Sequence, residues 1–136
     1  MTEKSDLEGL TILGHDAKPE RRLEAFANRH PERPYVVSLA TEEFTCLCPV
    51  TGQPDFARIT VDYVPGDRIV ESKSFKLYLW SYRDEGVFHE HVVNRILDDL
   101  VAAIAPRWCR VTGNFAARGG IAITVTADHG KRGDAA

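Results

Sequence analysis

The chain has 136 residues and a net charge of −3, from 17 Lys and Arg against 20 Asp and Glu. That length suits one domain, which buries roughly 68% of the surface its unfolded form exposes and can build a core without staples. A pI of about 5.9 argues against a general nucleic-acid or membrane-surface binder, and no apolar run approaches the roughly 18 residues of a membrane span. The opening "MTEKSDLEGLTILGHDAKPERR" is polar and mixed in charge, unlike a signal peptide. Three cysteines (Cys46, Cys48 and Cys109), an odd count without an export signal, point to free thiols in a reducing cytosol.

Residues 1–34 are rich in charge and proline and read as an irregular arm, with one helical turn expected around Arg22 to Ala27. A β-branched strand, "YVVSLA", follows at Tyr35–Ala40. "PVTGQPD" (Pro49–Asp55) is dense in proline and glycine and predicts a loop. "FARITVDYV" then alternates, with Ile59, Val61 and Tyr63 facing one way and Arg58, Thr60 and Asp62 the other, as in a half-buried antiparallel strand. "PGD" turns the chain.

Phe75, Tyr78, Leu79 and Tyr82 lie at helical spacing within Glu71–Arg83. Val92, Val93, Ile96, Leu97, Leu100, Val101 and Ile104 form one apolar stripe of a longer helix that Pro106 ends. Two further strands, Arg107–Phe115 and Gly120–Ala127, are joined through "AARGG", and the tail from Asp128 onward is expected to be disordered. The arm would cover 1–34, the folded domain 35–130 and a free tail 131–136.

Strands in hairpins around a helix pair give an α+β plan, a ββααββ antiparallel sheet with two helices on one face. Its four strands leave two open edges, which tend to pair with other copies of the chain, so a ring-like homo-oligomer is expected.

Cys48 and Asp55 stand at the two ends of the turn-rich loop, where a metal site, a disulfide or a nucleophile with its acid are all conceivable. C-x-C is not a usual zinc spacing and no C-x-x-C or H-x-x-x-H set accompanies it, so no metal is expected, although Cys46, Cys48, His89 and His91 could in principle gather around zinc. A Cys46–Cys48 disulfide is disfavoured because i, i+2 side chains on a strand lie about 7 Å apart. A nucleophilic thiol is the sharper alternative, with Cys46 the buried member of the pair and Cys48 at the mouth. An unperturbed thiol is only a few per cent thiolate at neutral pH. Asp55 could take its proton if the loop folds back, then deliver it to the substrate. Such a pair suits thiol addition across a polar multiple bond whose other end must be protonated.

"LCPVTGQPDF", "VESKSFKLYLWSYR", "FHEHVVN" and "RGGI", in this order and spacing, resemble the short, single-module 7-cyano-7-deazaguanine reductases, the nitrile reductases of queuosine biosynthesis. The resemblance runs from about Tyr35 to Ala127. It implies a tunnelling fold, with subunits joined into a barrel and sites at subunit boundaries. It also implies reduction of a nitrile to a primary amine with two NADPH, Cys48 forming a covalent thioimide and Asp55 protonating the nitrogen. His89 and Glu90 match the base-recognition pair, and Val70, Glu71 and Ser72 the other substrate-contacting segment. Lys73, Lys76 and Arg118 are the expected grips for the NADPH phosphates; no G-x-G-x-x-G motif is present to hold a dinucleotide in the Rossmann way. Cys46 departs from the family pattern, where a small polar residue such as serine is expected, and His91 has no assigned role. The substrate is then a small deazaguanine, with no direct nucleic-acid or membrane partner. The rival expectations are a zinc-dependent GTP-ring-opening or pterin enzyme of the same fold, and a non-catalytic purine-binding or thiol redox module.

Overall fold

The computed structural model describes residues 20–132. Its order is β1 (Ala25–Ala27), β2 (Val37–Leu47), β3 (Pro54–Val64), β4 (Arg68–Val70), α1 (Ser72–Trp80), α2 (His89–Ile104), β5 (Trp108–Arg118) and β6 (Ile121–Gly130). Four strands form an antiparallel sheet in the order β2-β3-β5-β6, and β1 pairs with β4 in a small second sheet. The two helices lie over the main sheet, α2 against β5 and β6 and α1 against β2. This is the expected α+β plan.

The alternation read in β3 is real and extends further than the apolar residues suggested. Asp55, Ala57, Ile59, Val61 and Tyr63 all face inward. Opposite them, α2 seats Val92, Val93, Ile96, Leu97, Leu100 and Ile104 on the sheet. Ala105 adopts a left-handed conformation (φ 44°) immediately before Pro106, and the helix ends there.

Three expectations are corrected. Arg22 to Ala27 is not a helical turn: Ala25, Phe26 and Ala27 pair with Val70, Ile69 and Arg68. The segment meets an unpaired strand, and buried Asn28 locks it there. Its backbone N–H donates to the Asp67 carbonyl (2.8 Å) and its side-chain amide to the Gly66 carbonyl (2.7 Å). Such tertiary bonds outweigh a weak local helical preference. The segment from Asp128 onward is not all free tail, because Asp128, His129 and Gly130 continue β6 opposite Arg110, Cys109 and Trp108. Arg110 donates two bonds to the Asp128 carboxylate, at 2.8 and 2.9 Å, across that pair. Pro54 and Asp55 are not loop residues but open β3, paired with Leu47 and Cys46. The expectations for residues 1–19 and 133–136 lie outside the described residues.

Candidate active site

β2 and β3 are joined by a tight turn that carries Cys48. The Cys48 N–H donates to the Gln53 carbonyl at 2.8 Å, and the Gly52 N–H donates to the Cys48 carbonyl at 2.9 Å. Gly52 has φ +74°, a conformation that costs glycine little. The end of β2 is pinned from its other side. Leu47 donates to the Glu85 carbonyl (2.9 Å) and accepts from the Val87 N–H (3.0 Å). A side chain at Gly86 would press on Pro49, the nearest atom being the Pro49 Cα at 3.2 Å. This close approach draws the start of α2, with Phe88, His89 and Glu90, to the thiol-bearing turn.

The two neighbouring thiols have different surroundings. Cys46 is fully buried, and burial first, then the nearby Asp55 carboxylate, push its thiol up to about 11. Cys48 is half-buried at the rim, and its thiol is lowered from its ordinary value, first by a hydrogen bond from the Thr51 side chain and then by the Thr51 and Val50 backbone. Only Cys48 therefore combines access with stabilised thiolate character.

Asp55 pairs directly with Cys46, and Cys48 follows just past the end of β2, near enough for the Asp55 charge to act on its thiol. The Asp55 carboxylate is only 6% exposed. Arg118 Nη1 donates to Oδ1 at 2.7 Å, and His89 Nε2 lies 3.1 Å from Oδ2. The His89 ring stacks on Phe115, centroids 3.8 Å apart and planes within 8°. The Glu90 carboxylate, exposed beside it, makes no hydrogen bond or ion pair with a described residue.

The other expected site residues are distributed differently. Val70 is in the core, 4% exposed. Glu71 is the N-cap of α1, its carboxylate accepting from the Lys73 and Ser74 N–H groups at 2.8 Å each. Lys76 and Ser72 line a cleft of about 590 Å³ between α1 and β2, together with Phe75, Leu79, Trp80 and Arg83. Lys76 and Arg83 bring two cations to a cleft of ligand size, with Glu43 also on its wall and Lys73 outside its lining; the cations suit a phosphate-bearing dinucleotide. Arg118 is not joined to Lys73 or Lys76 by any described contact; it is bound to Asp55 and Gln53. Cys48 is absent from the cleft's lining.

Thr51, Gln53 and Phe115 escaped the sequence reading. The first two were visible inside "PVTGQPD" as polar side chains in a rigid turn, whereas nothing in the sequence pairs Phe115 with His89. Among the described residues, no three His, Cys, Asp or Glu side chains converge closely enough to hold a metal ion, and no helix is long and apolar enough to cross a membrane.

Comparison with known proteins places this arrangement. The QueF-like protein family profile matches residues 54–134. The chain is 62% identical over 132 residues to the NADPH-dependent 7-cyano-7-deazaguanine reductase of Syntrophus aciditrophicus, covering 97% of this chain and 94% of that protein. It is 64% identical over 115 residues to the protein of that name from an Anaeromyxobacter species, covering 85% and 94%. The corresponding protein of Nitrosomonas europaea is 58% identical over 116 residues, covering 85% and 84%. Among solved structures, the archaeosine synthase QueF-like protein in its apo form superposes with a TM-score of 0.66 at 27% identity, over 71% of this chain and 94% of that one. With the profile and the relatives in agreement over most of its length, this chain belongs to the QueF-like family, alongside the NADPH-dependent 7-cyano-7-deazaguanine reductases.

Proposed function

We propose that this chain reduces the nitrile of 7-cyano-7-deazaguanine to the primary amine, with NADPH as reductant, through a thioimide on Cys48. The observation that carries the mechanism is an accessible thiol of lowered pKa, in the turn between β2 and β3, near the buried carboxylate that opens β3. Cys48 gives its proton to Asp55, and the thiolate attacks the nitrile carbon. One carbon–nitrogen π bond breaks, and the nitrogen takes the proton back from Asp55. The thioimide, once protonated, is a good hydride acceptor where the nitrile is a poor one. General acid help of this kind is worth about 10² to 10⁴ in rate.

Glu90 supports recognition of the base. Its carboxylate only accepts, and a deazaguanine edge offers a ring N–H and an exocyclic amine side by side. His89, fixed by Phe115 and Asp55, forms the adjoining wall. In the second segment, Val70 is buried and Glu71 caps its helix, so Ser72 is the side chain open to a ligand.

Lys73 and Lys76 would hold the phosphates of NADPH, two molecules of which, bound in turn, would each supply one hydride. Because Cys48 does not line the Lys76 cleft, one protomer alone separates thiol from cleft. Val50, Phe56, Phe88 and Ile121, all exposed apolar residues on the segments that carry the site, support burial against a second copy. The reading therefore includes a homo-oligomer whose sites lie at subunit boundaries, working in the reducing cytosol where Cys48 stays a thiol. The test is loss of NADPH absorbance on adding 7-cyano-7-deazaguanine, together with an intact-mass gain equal to the nitrile when NADPH is withheld. No absorbance loss at saturating nitrile overturns it.

A further inference from the structure

We infer that Arg118 and Gln53 form a clamp that orients the Asp55 carboxylate for proton transfer at Cys48, making them positioning residues rather than a grip for the reductant's phosphates. The inference deepens the reductase reading and rests on it.

The backbone fixes Arg118 first. It closes β5 opposite Ile121, and the two residues between them are Gly119 and Gly120, with φ +60° and +82°. Two consecutive positive φ values are what a tight two-residue hairpin of the I′ kind requires. A register irregularity between Phe115 and Arg118 breaks the ladder just before this turn. Bulges of this sort re-aim a side chain. Here the guanidinium reaches Asp55 on β3 while its side chain stays 41% exposed.

Its two terminal nitrogens then divide between two partners. Nη1 donates to Asp55 Oδ1 at 2.7 Å, and Nη2 donates to Gln53 Oε1 at 2.6 Å. Gln53 is also the residue whose carbonyl accepts the Cys48 N–H at 2.8 Å. One rigid fork thus ties the acid to the turn that carries the nucleophile. His89 Nε2 takes the other oxygen at 3.1 Å, so both carboxylate oxygens are fixed in direction. A guanidinium stays protonated and cannot relay the proton itself. Its contribution is orientation: the carboxylate oxygens are held in place while Asp55 accepts the thiol proton and returns it to the nitrile nitrogen. In-place geometry of this kind governs rate more than affinity.

The half-reaction separates this role from cofactor binding, because thioimide formation consumes no NADPH. Full-length enzyme carrying Arg118→Ala, Arg118→Lys or Gln53→Leu is mixed with 7-cyano-7-deazaguanine alone, and adduct growth is followed by quenched intact mass. Affinity for the nitrile is measured in parallel in a Cys48→Ala background. Arg118→Ala is expected to slow adduct formation about 100-fold, with nitrile affinity changed less than about threefold, and millimolar guanidinium chloride to restore part of the rate. Arg118→Lys, which keeps one cation but not the fork, falls between the two, and remains informative if the alanine variant fails to fold. Gln53→Leu is expected to slow the same step by about tenfold. Adduct formation at the unsubstituted rate in Arg118→Ala or Arg118→Lys, with only the KM for NADPH raised, overturns the clamp and makes Arg118 a cofactor residue. Absence of adduct in the unsubstituted enzyme overturns the reductase reading and the clamp with it.

Discussion

Cys46 and Cys48 carry the same group two residues apart, yet their surroundings drive their acidities in opposite directions. Burial raises the first, and hydrogen bonds from the Thr51 side chain and the turn's backbone lower the second. Cys48→Ala is therefore expected to abolish the covalent adduct, and Cys46→Ser to keep it; adduct lost only in Cys46→Ser would make Cys46 the nucleophile. Iodoacetamide mass mapping at neutral pH should label Cys48 well before Cys46. At Glu90 the expected change is in affinity. Glu90→Gln turns one of two acceptors into a donor, and a charge-assisted bond is worth roughly 1.5–3 kcal/mol. Nitrile binding, measured calorimetrically, should weaken about ten- to a hundred-fold. The residue types were legible from the motif, but their partners were not. Arg118 reads from sequence as a phosphate grip because a cation beside glycines suits one; the tertiary structure adds its bond to Asp55.

At the scale of elements, β3 shows how a periodic strand delivers a carboxylate to the candidate site. Its inward row runs Tyr63, Val61, Ile59, Ala57, and two residues further on the same phase places Asp55 indoors. The sequence displayed this alternation, but the proline-rich segment before it hid the point where the strand begins. β5 has a comparable constraint at Gly113. A Cβ there would stand 2.8 Å from both Phe115 Cε1 and Val93 Cγ2. Gly113→Ala must push apart α2 and the ring on which His89 stacks. It is expected to cost about 1–3 kcal/mol in urea unfolding. It should also weaken nitrile binding in folded protein, since the His89 platform moves. Unchanged affinity would show that Phe115 does not set the position of His89.

At the scale of the whole molecule, burial of titratable groups sets the alkaline limit of stability. Cys46 is raised to about 11 and Cys109 to about 12 from an ordinary value of 9.0, each chiefly by burial. Tyr63, Tyr78 and Tyr82 are raised above 10.0, also chiefly by burial. A group raised in the folded state contributes its stability in full below its unfolded value and loses it as pH climbs toward the folded one. The melting temperature should therefore hold steady to about pH 9 and fall progressively toward pH 11–12, and Cys109→Ala should flatten part of that fall. Assembly is testable by complementation. Inactive Cys48→Ala and Lys76→Ala chains, co-expressed, should regain activity if each site takes its thiol and its cleft from different copies. Random mixing would make roughly a quarter of such sites intact; no recovery would place both in one protomer.

By itself the sequence determined the number and order of the main elements, the helix stripe that becomes the core, and the motifs that identify the family. Those properties are local: periodicity of two or 3.6 residues, turn residues at fixed spacing, and short runs of chemistry-bearing side chains are written along the chain. Only the tertiary structure decided that Ala25–Ala27 is a strand, that Asp128–Gly130 extends β6, and that Arg118, His89 and Gln53 converge near one carboxylate. Each of these depends on a partner tens of residues away in the chain, whose hydrogen bonds or charge outweigh a weak local preference once folding brings the two together.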